Sequence, residues 1–156
     1  MPQRIAPCLW FDGQAEEAAR FYIGIFKNSK ISKVSYYGEA GREIHGGKPG
    51  AVLAVAFELD GQSFSALNGG PQFKFNEAIS FVVRCEDQDE IDFYWNALSA
   101  GGSEVQCGWL KDKFGLSWQI VPANIGELLS TPQAMQAMMT MKKLDIATLK
   151  QAGSPS

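Results

Sequence analysis

Histidine is almost missing from this sequence, which has one, His45, among 156 residues. The three cysteines are an odd number, and none of them stands in a Cys-x-x-Cys pair. Zinc sites need clustered histidine and cysteine ligands, and disulfide frameworks need paired cysteines. The sequence therefore predicts reduced thiols and argues against both a zinc-binding module and a disulfide-stabilised domain.

Long apolar runs and an excess of one charge are missing as well. The longest apolar run, Ala51–Phe57, is far shorter than the roughly 20 residues that a membrane-spanning helix needs. The 14 basic and 17 acidic residues leave a net charge of −3 and no basic block, which argues against nucleic acid and membrane surfaces as partners. The N-terminal residues lack the pattern of a signal peptide, so we expect a cytoplasmic protein.

What the sequence does contain is an order of strands and helices that occurs twice. Strand-length apolar segments and one amphipathic segment predict βαβββ in the first half, at Ile5–Phe11, Gln14–Phe26, Ser32–Tyr37, Val52–Leu59 and Gln62–Leu67. The second half begins the same way, with Ala78–Val83, a helix from residue 86 to about Ser99, and strands at Glu104–Leu110 and Leu116–Val121.

An internal repeat explains this order. Phe21-Tyr22 in the first predicted helix recurs as Phe93-Tyr94 in the second, 72 residues further along, and the same offset places Cys8 opposite Ser80. After Pro122 the pattern becomes helical, and we interpret its methionine-rich stripe, Met135 to Ile146, as packing in the core or at a dimer interface. Residues 152–156 are small and predict a disordered tail.

Four segments together resemble a known family: CLWFDGQAEEAARFY, FELDGQSFSALNGGPQFKFNEAISF, EDQDEIDFYWNALSAGG and CGWLKDKFGLSWQIVP. They cover most of residues 4 to 130. They look like the PhnB-like branch of the vicinal-oxygen-chelate superfamily, described as 3-demethylubiquinone-9 3-methyltransferase-like. The superfamily includes glyoxalase I, bleomycin-resistance proteins and extradiol dioxygenases.

The resemblance implies a fold and a mode of association. We expect one α+β domain of two tandem βαβββ modules whose sheets form half-open barrels, with module 1 at about 4–70 and module 2 at about 76–125. A C-terminal helix and tail, at about 126–156, complete the domain. The resemblance also implies a homodimer, often with exchanged modules.

The superfamily usually holds a divalent metal ion with two histidines and a glutamate, so that an oxygen-bearing substrate can be polarised. Carried onto this sequence, the ligand positions fall at Pro7 or Cys8, at Ser80 and at Gln119. None of these is a histidine or a carboxylate. We therefore predict no metal and no other cofactor, and we expect His45 to be an exposed loop residue.

Other chemistry has weaker support. A base or nucleophile is conceivable at Cys8, Glu104 or Asp112, but Cys8 and Cys107 fit buried apolar positions, and Asp112 fits a structural cap of the Asp-Lys-Phe-Gly turn. The Gly69-Gly70 pair predicts a turn because no helix follows it to bind phosphate. The methyltransferase name is discounted because no Rossmann-type cofactor unit is visible.

Two functions stay open. The first is a metal-free module that binds a small, partly apolar molecule in an aromatic-lined pocket. The second is an enzyme on a small oxygenated metabolite, with a non-standard metal site or a cysteine or carboxylate base. The predicted ligand-binding residues are Cys8, Trp10, Asn68, Ser80, Trp109, Trp118 and Gln119, of which Cys8 and Trp10 share one strand face.

Overall fold

A computed structural model describes residues 3–39 and 48–154 of the chain. The chain divides into two compact units, Met1–Lys74 and Phe75–Ser156. His45, predicted to be an exposed loop residue, lies outside the described residues.

The first unit is a four-stranded mixed sheet with one helix. Its elements are β1 (Cys8–Phe11), α1 (Ala15–Ile23), β2 (Lys30–Tyr36), β3 (Val52–Leu59) and β4 (Gln62–Asn68). The strand order is β1-β4-β3-β2, with β1 parallel to β4 and the other pairs antiparallel. The predicted strand at Ser32–Tyr37 is confirmed as β2. The predicted hairpin at Asp60-Gly61 is also confirmed, and both of these residues have the positive φ that a tight two-residue turn requires.

One face of this sheet packs against α1, and the other face is open. The buried residues of α1 recur at helical spacing, at Ala15, Ala18, Ala19 and Tyr22. Tyr22 stacks on Phe57 of β3 at 6.4 Å between ring centroids, and Phe57 stacks on Phe64 of β4 at 5.5 Å. Because strand residues alternate between faces, the residues between these core positions line the open face.

The second unit repeats this topology. Its sheet consists of β5 (Ser80–Cys85), β6 (Ser103–Glu104), β7 (Trp109–Lys111) and β8 (Ser117–Pro122), in the order β5-β8-β7-β6, with α2 (Gln88–Ser99) after β5. As in the first unit, the first and last strands are parallel and the other pairs are antiparallel. The predicted repeat of two βαβββ modules is therefore confirmed at the level of strand order.

The single strand predicted at Glu104–Leu110 is wrong. The chain forms two short strands there, β6 and β7, which pair with each other as an antiparallel hairpin. Cys107 and Gly108 in the connection have φ of +62° and +85°, values that no strand can contain. The apolar alternation of this segment concealed the turn.

The C-terminal region is helical, as predicted, but it is divided into α3 (Ile125–Leu128), α4 (Pro132–Met139) and α5 (Ile146–Gly153). Met138 and Met141 pack on a buried cluster of Val121, Leu144 and Leu149. Met135 and Met139 are exposed, so the stripe is only partly core. The tail predicted to be disordered from residue 152 is wrong for Ala152 and Gly153, which belong to α5.

No helix within the described part of the chain is long and apolar enough to cross a membrane.

Candidate functional site

The face of the second sheet opposite α2 is covered at Val121 by the C-terminal segment, and beside Val121 this open face carries two rows of residues that the strand register sets side by side. One row is Ser80, Ser117 and Lys111, on β5, β8 and β7. The next row is Val82, Gln119 and Trp109, on the same three strands. The opposite face carries Trp118 and Ile120, which are buried on the α2 side. The register therefore gathers hydroxyl, amide and indole groups from three strands on one surface.

A hydrogen bond joins two of the predicted site residues on this face. Gln119 Nε2 donates to Ser80 Oγ at 3.0 Å. Trp109 lies directly opposite Gln119 on β7 and is half-buried, so it shares the face of the polar pair. A hydroxyl and an amide beside an indole can bind an uncharged polar group and a flat apolar surface at once.

Trp118 lies on the opposite side of β8 from Gln119, in the core of the second unit. It is 3 % exposed, its ring lies 5.6 Å from the Phe81 ring, and its indole N–H donates to Asp112 Oδ2 at 2.9 Å. Asp112 Oδ1 accepts from the backbone N–H groups of Phe114 and Leu116 at 2.9 and 3.0 Å. Asp112 is thus the structural cap that the sequence predicts, and it also fixes Trp118 in the core.

On the first sheet, Trp10 lies over the turn that ends β4. Its indole N–H donates to Gly70 O at 2.9 Å, and its ring meets Phe73 edge-on at 4.8 Å. A Cβ at residue 69 would overlap the Trp10 ring, which explains why a glycine stands there. The Gly69-Gly70 pair is therefore a turn shaped by an indole, consistent with the predicted turn and not with a phosphate loop.

Asn68, also predicted to bind a ligand, holds the first unit together. Its Oδ1 accepts from Ala15 N at 2.9 Å at the start of α1, where Gln14 makes no capping hydrogen bond with its side chain. Its Nδ2 donates to Val52 O at 3.0 Å, and the residue is 9 % exposed. Both ends of the amide have partners inside the protein.

The cysteines differ from each other in exposure. Cys8 is exposed, so the expectation that it is buried is wrong; it lies on the open face of an edge strand, as Trp10 does. Cys107 is half-buried. Burial, together with the nearby carboxylates of Glu90 and Asp87, raises the pKa of the Cys85 thiol to about 12, so this thiol stays protonated at neutral pH.

The residues at the implied metal positions fit a divalent cation poorly. Ser80 and Gln119 are neutral, and the Gln119 N–H that faces Ser80 is a donor, which cannot coordinate a cation. No group of three histidine, cysteine, aspartate or glutamate side chains is placed to hold a metal ion within residues 3–39 and 48–154. Glu104 is exposed, so it lacks the burial that a general base near neutral pH would need.

Sequence analysis did not single out two residues that lie beside predicted site residues, Ser117 beside Gln119 and Phe73 beside Trp10. Ser117 and Phe73 carry no motif, and Phe73 reaches Trp10 through a turn whose path no local pattern specifies. A usable signal existed for Ser117, because it stands two residues before Gln119 in a strand and so shares its face.

Comparison with known proteins identifies the family. Residues 3–121 match the family described as 3-demethylubiquinone-9 3-methyltransferase. The chain belongs to this family. A PhnB protein from Bacillus cereus, described with the same methyltransferase name, is 36 % identical with a TM-score of 0.68, and the match covers 76 % of this chain and 99 % of that one. No curated protein matches the sequence.

More distant structures share the fold alone. PA1353 from Pseudomonas aeruginosa is 18 % identical with a TM-score of 0.62, over 78 % of this chain and 98 % of that one. The fosfomycin resistance protein FosX from Listeria monocytogenes is 15 % identical with a TM-score of 0.55, over 84 % and 99 %. PhnB and FosX belong to the vicinal-oxygen-chelate superfamily, so the predicted family and fold class are confirmed.

Proposed function

We propose that this PhnB-like protein is a small-molecule-binding module that works without a metal ion, and that the open face of its second sheet holds the ligand. The observation that carries the proposal is the hydrogen bond between Gln119 and Ser80, beside Trp109. These two residues occupy positions at which the superfamily places metal ligands. Here they share one hydrogen bond.

The chemistry of the pair supports binding through hydrogen bonds. Gln119 keeps its carbonyl oxygen as an acceptor, and Ser80 keeps its hydroxyl hydrogen as a donor, since their hydrogen bond uses only the Gln119 N–H and a Ser80 lone pair. Trp109 and Val82 in the same row supply apolar area. A small flat molecule with a polar edge matches this pattern.

The superfamily's metal chemistry is not part of the proposal, because neutral oxygen and nitrogen groups do not replace the charge of a carboxylate at a divalent ion. FosX has been crystallised with Mn(II) and sulfate, but at 15 % identity that structure shares only the fold with this chain. The methyl transfer in the family's description is also left out. Each sheet has a single parallel strand pair and not the doubly wound order of a Rossmann cofactor site.

Metal analysis of purified, tag-free protein tests the first part of the proposal. The protein is dialysed against excess zinc, nickel, manganese and ferrous iron, then against buffer, beside Gln119→Glu, which restores a carboxylate of equal size. We expect wild-type protein to retain far less than one metal ion per chain. Near-stoichiometric retention by wild-type protein, lost in Cys8→Ser or Gln119→Ala, would overturn the metal-free proposal in favour of a non-standard metal site.

Ligand binding tests the second part. Small planar compounds are screened by quenching of tryptophan fluorescence, with Trp109→Phe as the informative variant. Trp95→Phe is the matched control, because Trp95 is buried on α2 at 3 % exposure. We expect quenching to vanish in Trp109→Phe and to persist in Trp95→Phe. Quenching that is equal in both variants would place the ligand elsewhere.

A further inference from the structure

Ser117 is the one side chain in the described residues whose buried polar atom has no hydrogen-bond partner. The residue is 1 % exposed, and its Oγ makes no hydrogen bond. Buried hydroxyl groups in proteins are almost always paired, so an unpaired one calls for a specific reason, such as a bound water molecule or a ligand.

The strand register sets this hydroxyl beside the proposed site. Ser117 is directly opposite Ser80 on one side and Lys111 on the other, so all three residues lie on the same side of the sheet, where Ser117 is buried between its two neighbours. Ser117 and Gln119 are two residues apart on β8 and therefore also share that face. The unpaired hydroxyl lies next to the hydrogen-bonded pair of Gln119 and Ser80.

The charges around this row cancel. The Lys111 ammonium group is paired with the Glu77 carboxylate, and this contact holds the pKa of Glu77 below its usual value. Arg84 shares the face, but it is four residues along β5 from Ser80, about 13 Å at 3.3 Å per residue. The groups nearest Ser117 are thus one hydroxyl, one amide and a neutralised ion pair.

We propose that the ligand of this face is an uncharged ring compound that carries a hydroxyl group, and that Ser117 Oγ is the third hydrogen-bonding group of the site. The inference rests on the proposed function and adds the chemical class of the ligand. The ligand hydroxyl can both donate and accept, as Ser117, Ser80 and Gln119 together require. Its ring lies against Trp109.

Three probes of similar size separate these features: phenol, toluene and benzoate. Toluene replaces the hydroxyl of phenol by a methyl group, and benzoate adds a negative charge. Each probe is titrated into ¹⁵N-labelled protein while the Gln119 side-chain amide and the Trp109 indole N–H signals are followed. Ser117→Ala is the test variant, and Ser103→Ala, an exposed serine on β6 of the same sheet, is its matched control.

We expect phenol to bind with about tenfold higher affinity than toluene, and benzoate to bind more weakly than phenol because Lys111, the cation of the Ser117 row, is already paired with Glu77. Ser117→Ala should lower the phenol affinity about three- to tenfold, the range of one lost hydrogen bond, while Ser103→Ala leaves it unchanged.

The outcomes distinguish the inference from the proposed function. Equal binding of phenol and toluene, or tighter binding of benzoate, would overturn the ligand class and leave a binding face. Unchanged phenol affinity in Ser117→Ala, together with a higher melting temperature, would show that Ser117 is only an unpaired core hydroxyl. If none of the probes moves either signal at millimolar concentration, the proposed function on this face fails together with the inference.

Discussion

Single residues of this protein take their roles from the face of the strand on which they lie. Gln119 and Trp118 are neighbours on β8, so they point to opposite sides of the sheet, and only Gln119 reaches the open face. The same alternation places Trp118 in the core, where its indole N–H donates a hydrogen bond to Asp112. Asn68 is similarly engaged inside its unit. A ligand role for Asn68 or Trp118 stays a prediction, and each has a structural role in the fold.

Replacement of Asn68 by alanine tests this structural role. The substitution leaves Ala15 N and Val52 O without their side-chain partner, and we expect it to lower the free energy of unfolding by about 2–3 kcal/mol. Urea unfolding measures the change. Asn96→Ala is the control, because Asn96 is exposed on α2, and its effect should be small. Equal stability of the two variants would contradict the role assigned to Asn68.

At the scale of elements, the C-terminal segment is attached to the second unit by hydrogen bonds of its backbone. Cys107 N donates to Met141 O and Gly108 N donates to Lys142 O, both at 2.8 Å, so the segment between α4 and α5 holds the loop that leads into β7. Gln88 at the start of α2 binds the same segment, donating to Leu144 O at 2.9 Å and accepting from Ile146 N at 2.8 Å. The positive φ of Cys107 and Gly108, which the strand prediction missed, makes these contacts geometrically possible.

Removal of the Gln88 amide tests this attachment. In Gln88→Ala we expect amide hydrogen exchange at Ile146 to become about tenfold faster or more, because its hydrogen bond is lost. Exchange is read residue by residue by NMR. Gln133→Ala, an exposed glutamine on α4, serves as the control. If exchange at Ile146 is the same in both variants, Gln88 does not hold the segment.

At the scale of the whole molecule, the two units have the same strand order but place their aromatic groups differently. In the first unit an indole lies on the edge strand, at Trp10, and in the second it lies on an inner strand, at Trp109. Equivalent positions carry Cys8 and Ser80, as the 72-residue offset predicts. The repeat therefore preserves the fold, while its polar side chains have diverged. Within residues 3–39 and 48–154, a hydrogen-bonded pair of side-chain hydroxyl and amide groups on the sheet face opposite the helix is found in the second unit only.

The homodimer expected from the family is a prediction about the whole molecule. The edge strand β5 and the residue just before it expose apolar side chains, Val82 at 44 % and Ile79 at 67 %, and such edges favour association. We expect sedimentation equilibrium to give about twice 17.1 kDa. Ile79→Lys should shift the mass towards one chain, and Val105→Lys, on the β6–β7 connection, should not. A single-chain mass at every concentration would contradict the prediction.

Local patterns in the sequence were enough for most of the elements and for the repeat, while the family resemblance implied how the sheets are built. Apolar alternation, the Asp60-Gly61 hairpin and the repeated Phe-Tyr pair predict the strands, helices and modules, since secondary structure and face are encoded within a few residues of each position. Local patterns did not predict the turn at Cys107-Gly108, where positive φ values end the strand. They also did not predict the breaks that divide the C-terminal region into three helices.

Which polar groups meet was decided only by the tertiary structure. Gln119 and Ser80 are 39 residues apart in sequence, and Asn68 and Ala15 are 53 apart. The register between distant strands chooses such partners, and no short segment contains that register. The sequence by itself determined a PhnB-like fold without the usual metal ligands. The pairing of strands turned the remaining neutral side chains into a candidate binding face and left the Ser117 hydroxyl unpaired beside it.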